Sequence, residues 1–166
     1  QRGGKKTIGM TSEGNVEFCK DLDCYDVIIT YDQAESLDSS EAIIIVDMAG
    51  NFNAIKTLHE HFQENVKYSC KVGATHISAL DGDVNALPGA TPTFFFAPTQ
   101  VEKRNQEWGS GKVQKLIGQA LKDFQKFSDQ WMSVSRGSGT EAIGQTYTKV
   151  LSGKASPNEG FILSMK

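Results

Sequence analysis

Three histidines and three cysteines are the residues of this chain best suited to acid–base, nucleophilic or metal chemistry, and their spacing limits what they can do. His59 and His61, in "HEH", lie in a stretch with helical spacing, where residues two apart point about 200° from each other. They cannot share an ion, because the helical zinc-peptidase pair needs a spacing of four. Both are therefore read as solvent-facing. Cys19, Cys24 and Cys70 are odd in number and lack any CxxC spacing, so reduced thiols in an intracellular setting are expected. Cys70 reads as packing, since a free cysteine behaves like a small hydrophobe. With no thiolate cluster, neither a catalytic zinc nor any other metal is expected. His76, after "VGAT", is the one histidine left as a candidate proton donor.

A second constellation is "EAIIIVDMAGNF", residues 41 to 52, in which a run of branched apolar residues stops on Asp47 and then on Met48, Ala49 and Gly50. A continuous Ile/Val run reads as a strand buried on both faces, as in a parallel sheet covered by helices. In open α/β sheets ligands bind beyond the carboxyl ends of such strands, and small residues there let a molecule approach the backbone. Asp47 also fits a blander task, capping the helix that starts near Asn51.

The elements that would position these residues alternate. "KKTIGMTS" reads as a strand ending in a polar turn, and "SEGNVEFCKDL" as a short helix with Ser12 as its N-cap. "YDVIITYD" and residues 42 to 47 are two more strands, separated by an acidic loop. "NFNAIKTLHEHFQ" sets Phe52, Ile55, Leu58 and Phe62 on one helical face. "VKYSCKVGAT" is the next strand, ending in Val72, Gly73 and Ala74. The aromatic strand "TFFFAP" follows a Pro- and Gly-containing loop. Lys112 to Val134 then carries the strongest helical spacing in the chain, stopped by "RGSG". A helix, "TEAIGQTYTKVL", and a last strand, "FILSM", close the chain. Such alternation predicts an α/β layer fold with a mostly parallel sheet.

At 166 residues, 39% hydrophobic and 22% charged, with a net charge of −3, the chain is sized and composed as one ordinary globular domain. The mildly acidic balance argues against a general nucleic-acid binder. No apolar run approaches the roughly 20 residues of a membrane span. No signal peptide is visible after "QRGGKK".

Taken together, "GMTSEGN", "YDVIITYD", "VDMAGN", "YSCKVGATH", "LPGATPTFFFAP" and "EWG" resemble the carboxyl-terminal half of the DUF2855 family, over nearly the whole chain. That family resembles in turn the zinc-free, quinone-oxidoreductase-like branch of the medium-chain dehydrogenase/reductase superfamily. The ending, "EAIGQTYTKVLSGKASPNEGFILSM", is similar to the superfamily's closing helix, turn and strand. The resemblance implies an α/β, partial Rossmann-like nucleotide-binding domain over residues 1–100. Its first strand and Gly-rich turn, and a preceding GroES-like domain, would belong to an absent amino-terminal half. Residues 101–166 would form the carboxyl-terminal helical return and final strand. The strand near Ile8 should then not pair with the strand near Ile44, because strand 1 lies between them in the order 3-2-1-4-5-6.

The resemblance also assigns residues. Thr11, Ser12 and Asn15 would receive the 2′-phosphate of NADP at the end of strand 2, whereas Glu13, one residue of register away, would serve the ribose of NAD; NADP is favoured. Tyr31 would line the adenine pocket or pack beneath a loop. Asp47, Met48, Ala49 and Gly50 would pass the nicotinamide-side ribose, with Val72, Gly73 and Ala74 ending the next strand alike. Phe95 and Phe96 would flank the nicotinamide or simply fill the core, and His76 would lie near the cofactor mouth. Lys103, Arg104 and Trp108, in a loop, would be solvated or would join a homodimer. The implied function is NADP(H)-dependent hydride transfer to or from a small carbonyl or enone, the alternative being a non-catalytic structural or regulatory subunit of a larger assembly.

Overall fold

Short runs of branched apolar residues become the strands of the amino-terminal part. The computed structural model of the chain describes residues 5–73 and 83–166, and two compact units, Gln1–Val101 and Glu102–Lys166, divide it. In the first unit, β1 (Ile8–Thr11) leads through a 3-10 turn, Glu13–Asn15, into α1 (Val16–Asp21), and β2 (Val27–Thr30) follows. β1 and β2 pair in parallel, from Ile8 with Val27 to Thr11 with Thr30. A second 3-10 turn, Tyr31–Ser36, precedes β3 (Ile43–Asp47) and α2 (Phe52–Phe62); then come β4 (Val66–Lys71) and the short β5 (Thr93–Phe94). These last three strands form a parallel sheet in the order β3-β4-β5, and among the described residues β1 does not pair with β3. The architecture is mixed α/β, with small parallel sheets and helices.

One core joins the two sheets. Ala34 of the 3-10 turn, Ile45 of β3, Ile55, Leu58 and Phe62 of α2 and Val66 of β4 are buried together, and Met10 of β1 packs against them. Each large apolar side chain so buried contributes about 1.5–3 kcal/mol. α2 forms where the apolar spacing places it, and Asn51 caps it by accepting from the Ala54 amide at 3.2 Å.

β3 departs from the expectation of burial on both faces. Ile45 and Asp47 are buried, whereas Ile44 and Val46 on the opposite face are 68% and 58% exposed. Side chains alternate across a strand, and α2 lies over one face. A second correction concerns the histidines, which are not solvent-facing. His59 is fully buried and bonds through Nδ1 to the Pro88 carbonyl at 2.7 Å and through Nε2 to Ser69 Oγ at 3.0 Å. The half-buried His61 meets the Leu37 carbonyl at 2.7 Å.

Helix α3 (Ala97–Trp108) carries the chain across the boundary between the units. It occupies the segment expected to be a loop, and its residues show no apolar stripe because none of them is buried. Arg104 pairs with Glu107 and lies 5.1 Å from the Trp108 ring centroid.

In the second unit α4 (Lys112–Ser128) starts where its spacing predicts but stops six residues short of Val134. The amides of Trp131 and Met132 both turn back to the Ser128 carbonyl, and the chain enters β6 (Ser133–Ser138). α5 (Gly139–Leu151) connects β6 to β7 (Glu159–Ser164), a parallel partner in register from Ser133 with Glu159 to Ser138 with Ser164. Lys149 of α5 donates to both oxygens of Glu159 at 2.7 Å, and the Ser156 amide donates to one of them at 2.8 Å. These bonds, that of Lys149 first, hold the Glu159 carboxyl below the usual range.

Among the described residues no helix is long and apolar enough to cross a membrane.

Candidate functional site

The carboxyl ends of three parallel strands fall in one row: Asp47 of β3 is the register partner of Lys71 of β4, which is the partner of Phe94 of β5. Asp47 is the most constrained of the three. It is 8% exposed, and its Oδ1 accepts from the Ala49 amide at 3.1 Å and the Gly50 amide at 2.9 Å. Gly50 has a φ of +75°, a conformation that glycine adopts without steric cost, and so folds its amide back towards the carboxylate. Asp47 is thus the anchor of its own turn, while Asn51 caps α2.

The second oxygen of Asp47 has no such partner. Oδ2 is buried and makes no hydrogen bond among the described residues. Leaving a buried acceptor unsatisfied costs about 1–3 kcal/mol, and more for a charged group. Asp47 borders a small cavity with Gly50, Phe52, Ile55, Lys71 and Val84. Its volume of about 10 Å³ is room for one water-sized group. Tyr31, at the end of β2, is close enough for the Asp47 charge to act on its phenol: burial first, then Asp47, then Cys19, raise the phenol above the ordinary tyrosine range.

The strand ends also hold each other. The amides of Val72 and Gly73 donate to the Asp47 carbonyl at 2.8 and 3.3 Å. A Cβ added to Gly73 would lie 2.3 Å from the Met48 carbonyl oxygen, so no side chain fits there without moving backbone. The smallness of "VG" thus has a packing cause, whatever else uses the space. Met48, beside it, is 61% exposed.

Of the residues expected to touch a cofactor, Asp47, Met48, Ala49, Gly50, Val72 and Gly73 come together around the ends of β3 and β4, and Tyr31 follows the end of β2. Thr11, Ser12 and Asn15 follow the end of β1 in the other sheet. There the Ser12 carbonyl accepts from the Asn15 amide at 3.0 Å, and the Ser12 side chain makes no capping bond. Phe95 and Phe96 follow β5, Phe95 being tied to β4 by its amide on the Lys71 carbonyl at 2.8 Å; both rings are exposed. Ala74 and His76 lie outside the described residues. Lys71 was not visible as a site residue in the sequence: the register that sets it opposite Asp47 is a property of strand pairing. Among the described residues no group of three or more His, Cys, Asp or Glu side chains is arranged to hold a metal ion.

No curated protein and no solved structure matches the chain. A family model does, over residues 1–156, under the description "Protein of unknown function (DUF2855)". With that match covering nearly all of its length, the chain belongs to the DUF2855 family.

Proposed function

We propose that this protein is an NADP(H)-dependent oxidoreductase-like member of its family, with a Rossmann-like fold in which the strand ends at Asp47, Lys71 and Phe94 face the cofactor. The observation that carries the reading is the division of the first unit into a β1-β2 pair and a β3-β4-β5 sheet that share one core and, among the described residues, do not pair with each other. In the strand order 3-2-1-4-5-6 these five strands take the places of 3-2 and 4-5-6. The place of strand 1 then falls between β1 and β3. The exposed Ile44 and Val46 supply an apolar face for the elements that cover a doubly wound sheet. That added strand and cover, with a GroES-like domain, would come from the amino-terminal half implied by the resemblance to the medium-chain superfamily.

The residues present fit one flank of a dinucleotide. The cavity at Asp47 admits a single water-sized group, so a dinucleotide would lie across the strand ends, along Met48–Gly50 and Val72–Gly73. Thr11, Ser12 and Asn15 suit a 2′-phosphate, to which two hydroxyls and a side-chain amide are good donors. The bound nicotinamide would supply hydride chemistry with a small carbonyl or enone. This chain would orient the ring and limit its contact with water. Nicotinamide fluorescence during titration with NADPH and NADH tests the reading: saturable binding with NADPH the tighter is expected. Binding of neither would leave the non-catalytic subunit as the remaining reading.

A further inference from the structure

Helix α4 leaves most of its apolar stripe uncovered. Val113 in its first turn is buried, but Leu116, Ile117, Leu121 and Phe124 are 49%, 53%, 54% and 54% exposed. At about 100° per residue these four fall within one arc of about 140°. Lys115, Lys122 and Lys126 lie on the opposite face, and Lys112 stands nearer the stripe. Among the described residues none of these lysines makes an ion pair, whereas Lys103 and Arg104 of α3 both pair with Glu107. The one acid of α4, Asp123, is engaged by Gln119 Nε2 at 3.0 and 3.2 Å. Four lysines against one aspartate leave the helix at +3, in a chain whose net charge is −3. We infer that α4 docks the protein on an anionic lipid surface, lying in the plane of the interface with Leu116, Ile117, Leu121 and Phe124 at the acyl boundary.

The occupant has to answer both faces of the helix. A second copy would bury the stripe but would bring two helices of like charge together, which opposes the contact. A nucleic acid would match the lysines and leave the stripe in water. A neutral apolar surface would take the stripe and ignore the charge. An anionic leaflet supplies both requirements: an acyl boundary about 5–10 Å deep for the stripe, and a negative surface potential that reaches lysines within a Debye length of about 8 Å. Leu and Phe on one face and lysine on the other, with low net hydrophobicity, is the pattern of a helix that lies on a bilayer rather than crossing it. The inference goes beyond dinucleotide binding and does not depend on it.

Flotation of the full chain with lipid vesicles tests it, using phosphatidylcholine alone and phosphatidylcholine with about one-third phosphatidylglycerol. Binding to the anionic vesicles is expected, weakened by high salt and about tenfold or more weaker on the neutral ones. Phe124→Gln should weaken it about tenfold, since the ring no longer enters the acyl boundary. Lys122→Gln and Lys126→Gln should weaken it about fivefold for each charge removed. Both lysines are exposed, so these two variants keep the test open if Phe124→Gln fails to fold. Absence of binding to the anionic vesicles, equal binding to the neutral ones, or binding that all three variants leave unchanged would overturn the inference. Sedimentation of the free chain as a dimer that Phe124→Gln dissolves would assign the stripe to a second copy and overturn it too.

Discussion

Asp47 and Lys71 stand opposite one another in the register of β3 and β4, and both residues border the same cavity, with one oxygen of Asp47 unpaired among the described residues. An acid and a base fixed at the ends of adjacent parallel strands make a polar floor for whatever lies beyond the sheet. The surrounding residues respond to that floor in ways that can be measured.

Tyr31 reports on the charge. Burial and then Asp47 raise its phenol above the ordinary range, so Asp47→Asn should bring the titration part of the way back, leaving the share due to burial. Phenolate absorbance against pH, with Tyr31→Phe as the blank, measures it. The folded protein holds this proton more tightly than the unfolded chain. The associated stability is therefore fully present below pH about 10 and is lost as pH rises through the folded-state value. A titration that Asp47→Asn leaves in place would contradict the proximity.

Gly73→Ala tests the contact between the strand ends. Its Cβ would fall 2.3 Å from the Met48 carbonyl oxygen, and backbone must shift to admit it. A loss of about 1–3 kcal/mol in urea denaturation is expected. An unchanged midpoint would mean that β3 and β4 end farther apart.

His59→Leu removes a fully buried ring with two hydrogen bonds and leaves Ser69 Oγ and the Pro88 carbonyl without it. Since Pro88 offers only an acceptor, Nδ1 carries the proton and Nε2 accepts from Ser69. The expected cost is about 2–3 kcal/mol, read from the urea midpoint. A surface-like effect under 0.5 kcal/mol, the roughly neutral range of exposed substitutions, would return His59 to solvent.

In the second unit the Lys149–Glu159 contact predicts a pH dependence. The Glu159 carboxyl is held below its usual range by Lys149, so its contribution is present above the unfolded value and disappears as pH falls through the folded one. Glu159→Gln should lower stability at neutral pH and match the wild type in acid. A difference that persists in acid would point to packing instead.

What could be read in the residues depended on how local the cause was. α2 was legible because its cap, Asn51, and its apolar face at Ile55, Leu58 and Phe62 are written within eleven residues of each other. The β3 run was legible as a strand, but the exposure of Ile44 and Val46 depends on what covers the sheet, which alternation within the run does not disclose. α3 was missed because its helix is solvated and carries no stripe. α4 was overrun because Trp131 continues the apolar spacing past Ser128, where backbone turns rather than composition end the helix. His59 is buried by partners ten and twenty-nine residues away, and Lys71 becomes a site residue through strand register; neither relation has a local signature.

Amide hydrogen exchange of the intact protein with and without NADPH tests the central claim most directly. The account predicts added protection at Met48–Gly50, Val72–Gly73 and Thr11–Asn15, the turns at the carboxyl ends of β3, β4 and β1. Exchange that NADPH leaves unchanged at all three turns, or alters only within the second unit, would contradict it.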